Sequence, residues 1–140
     1  ARVLPLNSEA ADYKLAGSAA NARLSDLHWP LDLVWLGMGA DGHTASIFPG
    51  SDYEEALNPA KGVRAIGVRP DPFPPEAPVD RVTLTVPAIV EARTTMLVIN
   101  GAEKQQVLEQ AIEEGKKSAY PVGRVIDALT VPVDIYCLSV

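Results

Sequence analysis

Two side chains able to move protons, Asp41 and His43, stand on either side of Gly42. They lie in the stretch Leu36-Gly37-Met38-Gly39-Ala40-Asp41-Gly42-His43-Thr44-Ala45-Ser46-Ile47-Phe48-Pro49-Gly50. Imidazole titrates near neutrality, so His43 could take a proton from water in one step and return it in another. Asp41 has two readings. It could orient and stabilise a His43 imidazolium, or hold ligand hydroxyls; equally it could be an Asx-type turn residue bonding the amides of its own loop. The glycines allow a tight turn and a close approach to a ligand, which makes Gly39 and Gly42 candidates for binding through the backbone. Thr44 and Ser46 suit capping and packing, and no Gly-x-Ser-x-Gly elbow points to a serine nucleophile.

The elements around this stretch must hold the pair in place. Leu31 to Leu36, entered through Pro30, is short, branched and apolar and reads as a buried strand. Thr44 is placed to cap a short helix that Pro49-Gly50 stops, so that loop and helix start would offer free N–H groups to an anion. The acid and the histidine then sit at the carboxyl end of a strand, where open α/β sheets bind ligands. Gly37 to Gly42 also fits GxGxxG. The dinucleotide fingerprint needs a long helix after the loop and an acid at the tip of the next strand. Here proline arrives within about two helical turns, and the strand Val63 to Val68 ends at Arg69-Pro70, so a nicotinamide or flavin site is set aside.

The remaining chain alternates helix and strand patterns. Arg2-Val3-Leu4 reads as a short edge strand or extended lead-in. Ser8 is placed to cap a helix running to about Leu24, with Tyr13, Leu15, Ala19 and Leu24 on its apolar side. His28 reads as a surface or packing residue. Ser51 to Leu57 suits a short acidic helical turn, and the proline-rich Arg69 to Pro78 an extended loop. Arg81 to Val86 alternates as a half-polar strand, and Pro87 suits the first position of a helix over Ala88 to Ala92. Thr94 to Ile99 is apolar enough for a central strand. The spacing of Val107, Leu108, Ala111 and Ile112 predicts the buried stripe of a helix over Ala102 to Glu114 that Gly115 ends. Pro121 to Leu129 suits a helix and Val131 to Leu138 the last strand. The order α, β, α, β, β, α, β, α, α, β implies a layered α/β domain with a largely parallel sheet flanked by helices.

Composition narrows the class. The chain has 140 residues, 47% apolar and 21% charged, which suits one globular domain over 1–140. The net charge of −6 argues against a nucleic-acid surface, and no apolar run is long enough for a membrane span. Cys137 is the lone cysteine, flanked by apolar residues, and reads as a core thiol in a reducing cytoplasm. No Cys/His cluster has metal-ligand spacing, so no metal is expected.

The fifteen residues around His43 resemble the signature of the 6-phosphogluconolactonases, a superfamily shared with the glucosamine-6-phosphate deaminases and isomerases. Ala40 stands where that family often has an acid. The resemblance implies a modified Rossmann-like fold and hydrolysis of 6-phospho-D-glucono-1,5-lactone to 6-phospho-D-gluconate, in the oxidative pentose phosphate pathway. It implies no organic cofactor, a phosphosugar lactone as the small-molecule partner, and His43 as general base. Lys104 in Gly101-Ala102-Glu103-Lys104 matches the family's Gly-x-x-Lys, whose lysine is linked to the substrate phosphate. A lysine at a helix start is electrostatically misplaced unless an anion lies beside it. Arg81 opens a family-like Arg-Val-Thr-Leu-Thr strand and could grip phosphate or pair with Asp80. Arg124 matches a Pro-x-x-Arg. The residues after the histidine, Ser46-Ile47-Phe48-Pro49, follow the lactonase pattern; a deaminase or isomerase is the alternative, and an inactive fragment that only binds a sugar phosphate or a partner chain is a third. The family's Ser-Gly-Gly phosphate loop has no match here. The chain therefore reads as the C-terminal part of a larger domain, expected to pair with the missing N-terminal half or with another copy.

Overall fold

A computed structural model of the chain describes residues 1–7 and 9–138. In chain order the elements are α1 (Tyr13–Leu24), β1 (Leu33–Leu36), α2 (Tyr53–Leu57), β2 (Ala65–Val68), β3 (Arg81–Leu84), α3 (Val86–Val90), β4 (Thr94–Asn100), α4 (Ala102–Glu114), α5 (Pro121–Ala128) and β5 (Val133–Leu138). A 3-10 turn, Gly115–Lys117, follows α4. This is the expected alternation. No helix among the described residues is long and apolar enough to cross a membrane. The chain forms two compact units, one from residues 1–29 and 46–88, the other from 30–45 and 89 onward.

In the first unit α1 packs on the antiparallel pair β2–β3, registered Ala65 to Leu84 and Val68 to Arg81. The crossing is close because both surfaces are bare of side chains at the contact. A methyl group on Gly17 would strike the backbone of Ile66 and Gly67, and one on Gly67 would strike Tyr13. Asn21 strengthens the contact, its Oδ1 accepting the N–H of Arg64 at 2.7 Å and of Ala65 at 3.2 Å. Ala20, Leu24 and Ala65 form a core packed by Leu6, Leu27, Trp29, Val82 and Leu84. The helix begins later than its sequence suggests. Asp12 is the N-cap, its carboxylate accepting the Leu15 N–H at 3.0 Å. Ser8 lies outside the described residues. The apolar face also differs: Ala16, Gly17, Ala20 and Leu24 are buried and Leu15 is exposed, because close packing on β2 selects small residues. Arg2 to Leu4 forms no strand and is an extended lead-in.

A charge network closes this unit. Lys14 Nζ lies 2.6 Å from Asp52 and 2.7 Å from Glu55, and the buried Asp52 also accepts the Arg69 N–H at 2.8 Å. Burial pushes the Asp52 carboxyl upward, but Lys14 and the Arg69 amide outweigh it and hold the group below the usual carboxylate range. Burial likewise opposes the Lys14 charge, and its two carboxylate partners raise it nonetheless.

The second unit is built on a parallel sheet in the order β1-β4-β5. Leu33 pairs with Thr94 and Leu36 with Leu97, while Thr95 pairs with Val133 and Asn100 with Leu138. β4 is central, as its apolar run suggests. Helix α4 packs on β4, and α5 on α4. Gly123 makes the helix contact close, since a methyl group there would lie 2.6 Å from the Ala111 carbonyl oxygen. One sheet face, with Val34, Leu36, Leu97 and Ile99, is buried. On the other, Trp35 is 68%, Leu33 52%, Tyr136 52% and Leu138 55% exposed. The β1 run is therefore half-exposed, not a fully buried strand. Cys137 is exposed on the outer strand β5 and is not a core thiol. On α4, Leu108 and Ala111 are buried but Ile112 is 46% exposed, because one neighbouring helix and one strand cover only a narrow stripe. Pro87 is the second residue of α3, which begins at Val86 and ends at Val90, one place from the first position expected of the proline.

Candidate active site

The loop after β1 folds back on itself. Met38 and Thr44 form an antiparallel bridge, Gly39 donates its N–H to the His43 carbonyl at 3.0 Å, and Gly42 donates to the Gly39 carbonyl at 3.0 Å. Thr44 caps no helix, and no helix forms between residues 44 and 49. It is buried instead, and its hydroxyl donates to the Gly37 carbonyl at 2.7 Å, pinning the base of the loop. The amides of Gly39, Gly42 and His43 are used inside the loop, so the expected helix start with open N–H groups does not exist here. The strand-to-hairpin geometry wins over the capping signal because Ala45, at φ 51°, turns the chain out of helical conformation.

This closed turn sets the histidine. Asp41 Oδ1 accepts the His43 backbone N–H at 3.1 Å and lies 2.5 Å from His43 Nδ1. Asp41 thus closes an Asx turn and also meets the imidazole of the same loop. The His43 side chain is 23% exposed and that of Asp41 56%, so solvent reaches the pair. Gly39 is required sterically: a methyl group there would overlap the His43 ring and approach Asp41 Oδ1 to 2.6 Å. Gly42 has φ +81°, and a methyl group on it would lie 2.5 Å from the Tyr120 ring. The Val122 N–H donates to the Gly42 carbonyl at 3.0 Å, tying the loop to the start of α5. Sequence reading singled out Arg124 in this helix and missed Tyr120 and Val122; Pro121 at the helix start was the available signal for a fixed entry at that point.

The cations are distributed. Lys104 is the third residue of α4, half-buried, and makes no ion pair or hydrogen bond among the described residues. It follows β4 as the His43 loop follows β1. These are neighbouring parallel strands, so both groups leave the sheet at the same, carboxyl end. Arg124, in the second turn of α5, is half-buried and likewise unpaired among the described residues. Arg81 belongs to the first unit. Asp80 pairs there with Arg69, through two bonds of 2.7 and 2.6 Å, and not with Arg81. The Arg81 guanidinium instead lies over the Phe48 ring and donates to the Ala77 carbonyl at 3.0 Å, with its Nε buried and unbonded.

Fold and loop together define an α/β protein with an acid–histidine pair at the carboxyl end of a parallel strand, and comparison with known proteins gives the family. A family model described as glucosamine-6-phosphate isomerases/6-phosphogluconolactonase matches residues 1–131. The chain belongs to this family. The 6-phosphogluconolactonase of Mesorhizobium japonicum is 38% identical over 137 residues, which are 97% of this chain and 55% of the relative. The human 6-phosphogluconolactonase is 37% identical over 122 residues, 87% of this chain and 44% of the relative. The crystal structure of a 6-phosphogluconolactonase from Shewanella baltica superposes with a TM-score of 0.84 at 32% identity, over 96% of this chain and 55% of that one. The chain thus spans about half the length of the relatives it matches.

Proposed function

We propose that this chain carries the acid–base machinery of a 6-phosphogluconolactonase, which hydrolyses 6-phospho-D-glucono-1,5-lactone to 6-phospho-D-gluconate in the oxidative pentose phosphate pathway. The observation that carries the reading is the 2.5 Å contact between Asp41 and His43 Nδ1, in a glycine turn at the carboxyl end of a parallel strand. A carboxylate only accepts hydrogen bonds, so Nδ1 holds the proton and Nε2 the lone pair. Water attacks the ring carbonyl carbon as Nε2 takes its proton. The bond from that carbon to the ring oxygen then breaks, and the imidazolium returns the proton to the departing alkoxide. The opened ring carries the new carboxylic acid, which ionises. Asp41 stabilises the imidazolium between the two steps. The substrate phosphate falls to Lys104 and Arg124, which lack carboxylate partners among the described residues. The reading includes a cytoplasmic enzyme, and a bare sheet face covered by chain of the kind the relatives carry outside the matched region or by a second copy.

The test is a lactonase assay on the chain alone and on the chain combined with the unmatched portion of the Mesorhizobium relative. Turnover is expected in the combined sample, with His43→Ala lowering it about 100-fold or more. Absence of turnover in both samples, or a near-normal rate for His43→Ala, overturns the reading.

A further inference from the structure

We propose that Tyr120 is a positioning residue for His43, acting through Gly42 as a brace under the catalytic loop. The proposal rests on the general-base reading for its consequence, but its evidence is geometric. Gly42 is the link between Asp41 and His43, so its conformation sets whether the two side chains meet. Its φ of +81° is one that glycine adopts without strain but that nothing in glycine enforces. Two contacts from one segment enforce it. The Tyr120 side chain packs so tightly on Gly42 that a single added methyl group would lie 2.5 to 2.9 Å from its Cβ and two ring atoms, Cγ and Cδ1. Two residues on, the Val122 N–H holds the Gly42 carbonyl at 3.0 Å.

The brace is itself anchored. Tyr120 precedes Pro121, the first residue of α5, and its N–H donates to Ser118 Oγ at 3.1 Å. Ser118 is buried and donates to the Glu114 carboxylate at the end of α4, 2.9 Å away. Gly123 locks the same helix start against the Ala111 carbonyl and the Ser118 side chain. A chain of contacts thus runs from α4 through Ser118 and Tyr120 to Gly42, and from Gly42 to the Asp41–His43 pair. Neither Tyr120 nor Val122 is needed to form the turn, whose internal bonds are between Gly39, Gly42 and His43. They hold it in one form. Without the ring, the Gly42 peptide regains the freedom of a glycine linker, and the Asp41–Nδ1 bond no longer fixes a single tautomer.

The experiment reads the tautomer directly, by long-range proton–nitrogen NMR of the His43 ring in the 140-residue chain at alkaline pH. The wild type is expected to give two well-separated ring-nitrogen resonances, one protonated and one not. Tyr120→Ala is expected to lose about half of that separation or more, as the two tautomers average, and Tyr120→Phe to retain it. Leu108→Ala, which removes a buried side chain of α4 remote in sequence from the loop, is expected to lower the melting temperature and leave the separation intact. A separation unchanged in Tyr120→Ala, or lost equally in Leu108→Ala, overturns the proposal. Should Tyr120→Ala not fold, Tyr120→Leu takes its place with the same two outcomes. The measurement needs no turnover, so failure of the lactonase assay and failure of the brace are separate results.

Discussion

At Gly39 a hydrogen atom is all that fits, because the His43 ring and the Asp41 carboxylate fill the space a side chain would need. The residue is usually read as a device for ligand approach; here it makes room for the Asp41 and His43 side chains. Gly39→Ala must push the imidazole aside, and a displacement on the order of 1 Å costs about 100-fold in rate. The expected result is a kcat close to that of His43→Ala, measured in the same combined sample. A variant within a few-fold of wild type would show that the ring is not held where Gly39 leaves space for it. Asp41 and His43 were legible as a pair because both side chains depend on a turn spanning three residues. Cys137 was misread because apolar neighbours in sequence do not show that β5 is an outer strand, left exposed even on the side where its partner Ile99 is buried.

At the scale of elements, local signals worked where the element answers to itself and failed where packing chose. The span of α4 follows from Gly101 and Gly115 at its ends, both at positive φ. The start of α1 does not follow from Ser8, because Asp12 supplies the capping bond. Thr44 looks like a cap in sequence and becomes a bridge residue in space. The tie between α1 and α2 is ionic and is open to test. Asp52→Asn removes the Lys14 partner and weakens the acceptor of the Arg69 N–H, and should cost about 1–3 kcal/mol near neutral pH. The sign with pH follows from the lowered Asp52 carboxyl. Its contribution is complete above the unfolded value, near 4, and is lost as pH falls through the lower folded value. The gap in melting temperature between wild type and Asp52→Asn should therefore be flat around neutrality and narrow on acidification. A gap that widens in acid would contradict the assignment.

For the whole molecule the feature with a consequence is the uncovered face of the parallel sheet. Parallel sheets are ordinarily covered on both faces. The register places Leu33, Trp35, Met96, Val98, Tyr136 and Leu138 on one side of β1, β4 and β5. An apolar surface of this kind invites association. Trp35→Lys should reduce binding of an apolar dye and self-association at high concentration. As an exposed substitution, it should change stability by no more than about 0.5 kcal/mol. Equal dye binding in the variant would show that the face is covered in solution.

The sequence by itself determined the order of elements, the central place of β4, the acid–histidine pair and the family resemblance that the comparisons bear out. Each of these depends on residues within a few positions of one another, or on an apolar run long enough to require burial. Only the tertiary structure decided which face of the sheet is covered, that Asp80 goes to Arg69 and leaves Arg81 over Phe48, and that Tyr120 bears on Gly42. Those outcomes join residues far apart in the chain, and competition for one carboxylate or one space beside a glycine is settled by which groups the fold brings within reach.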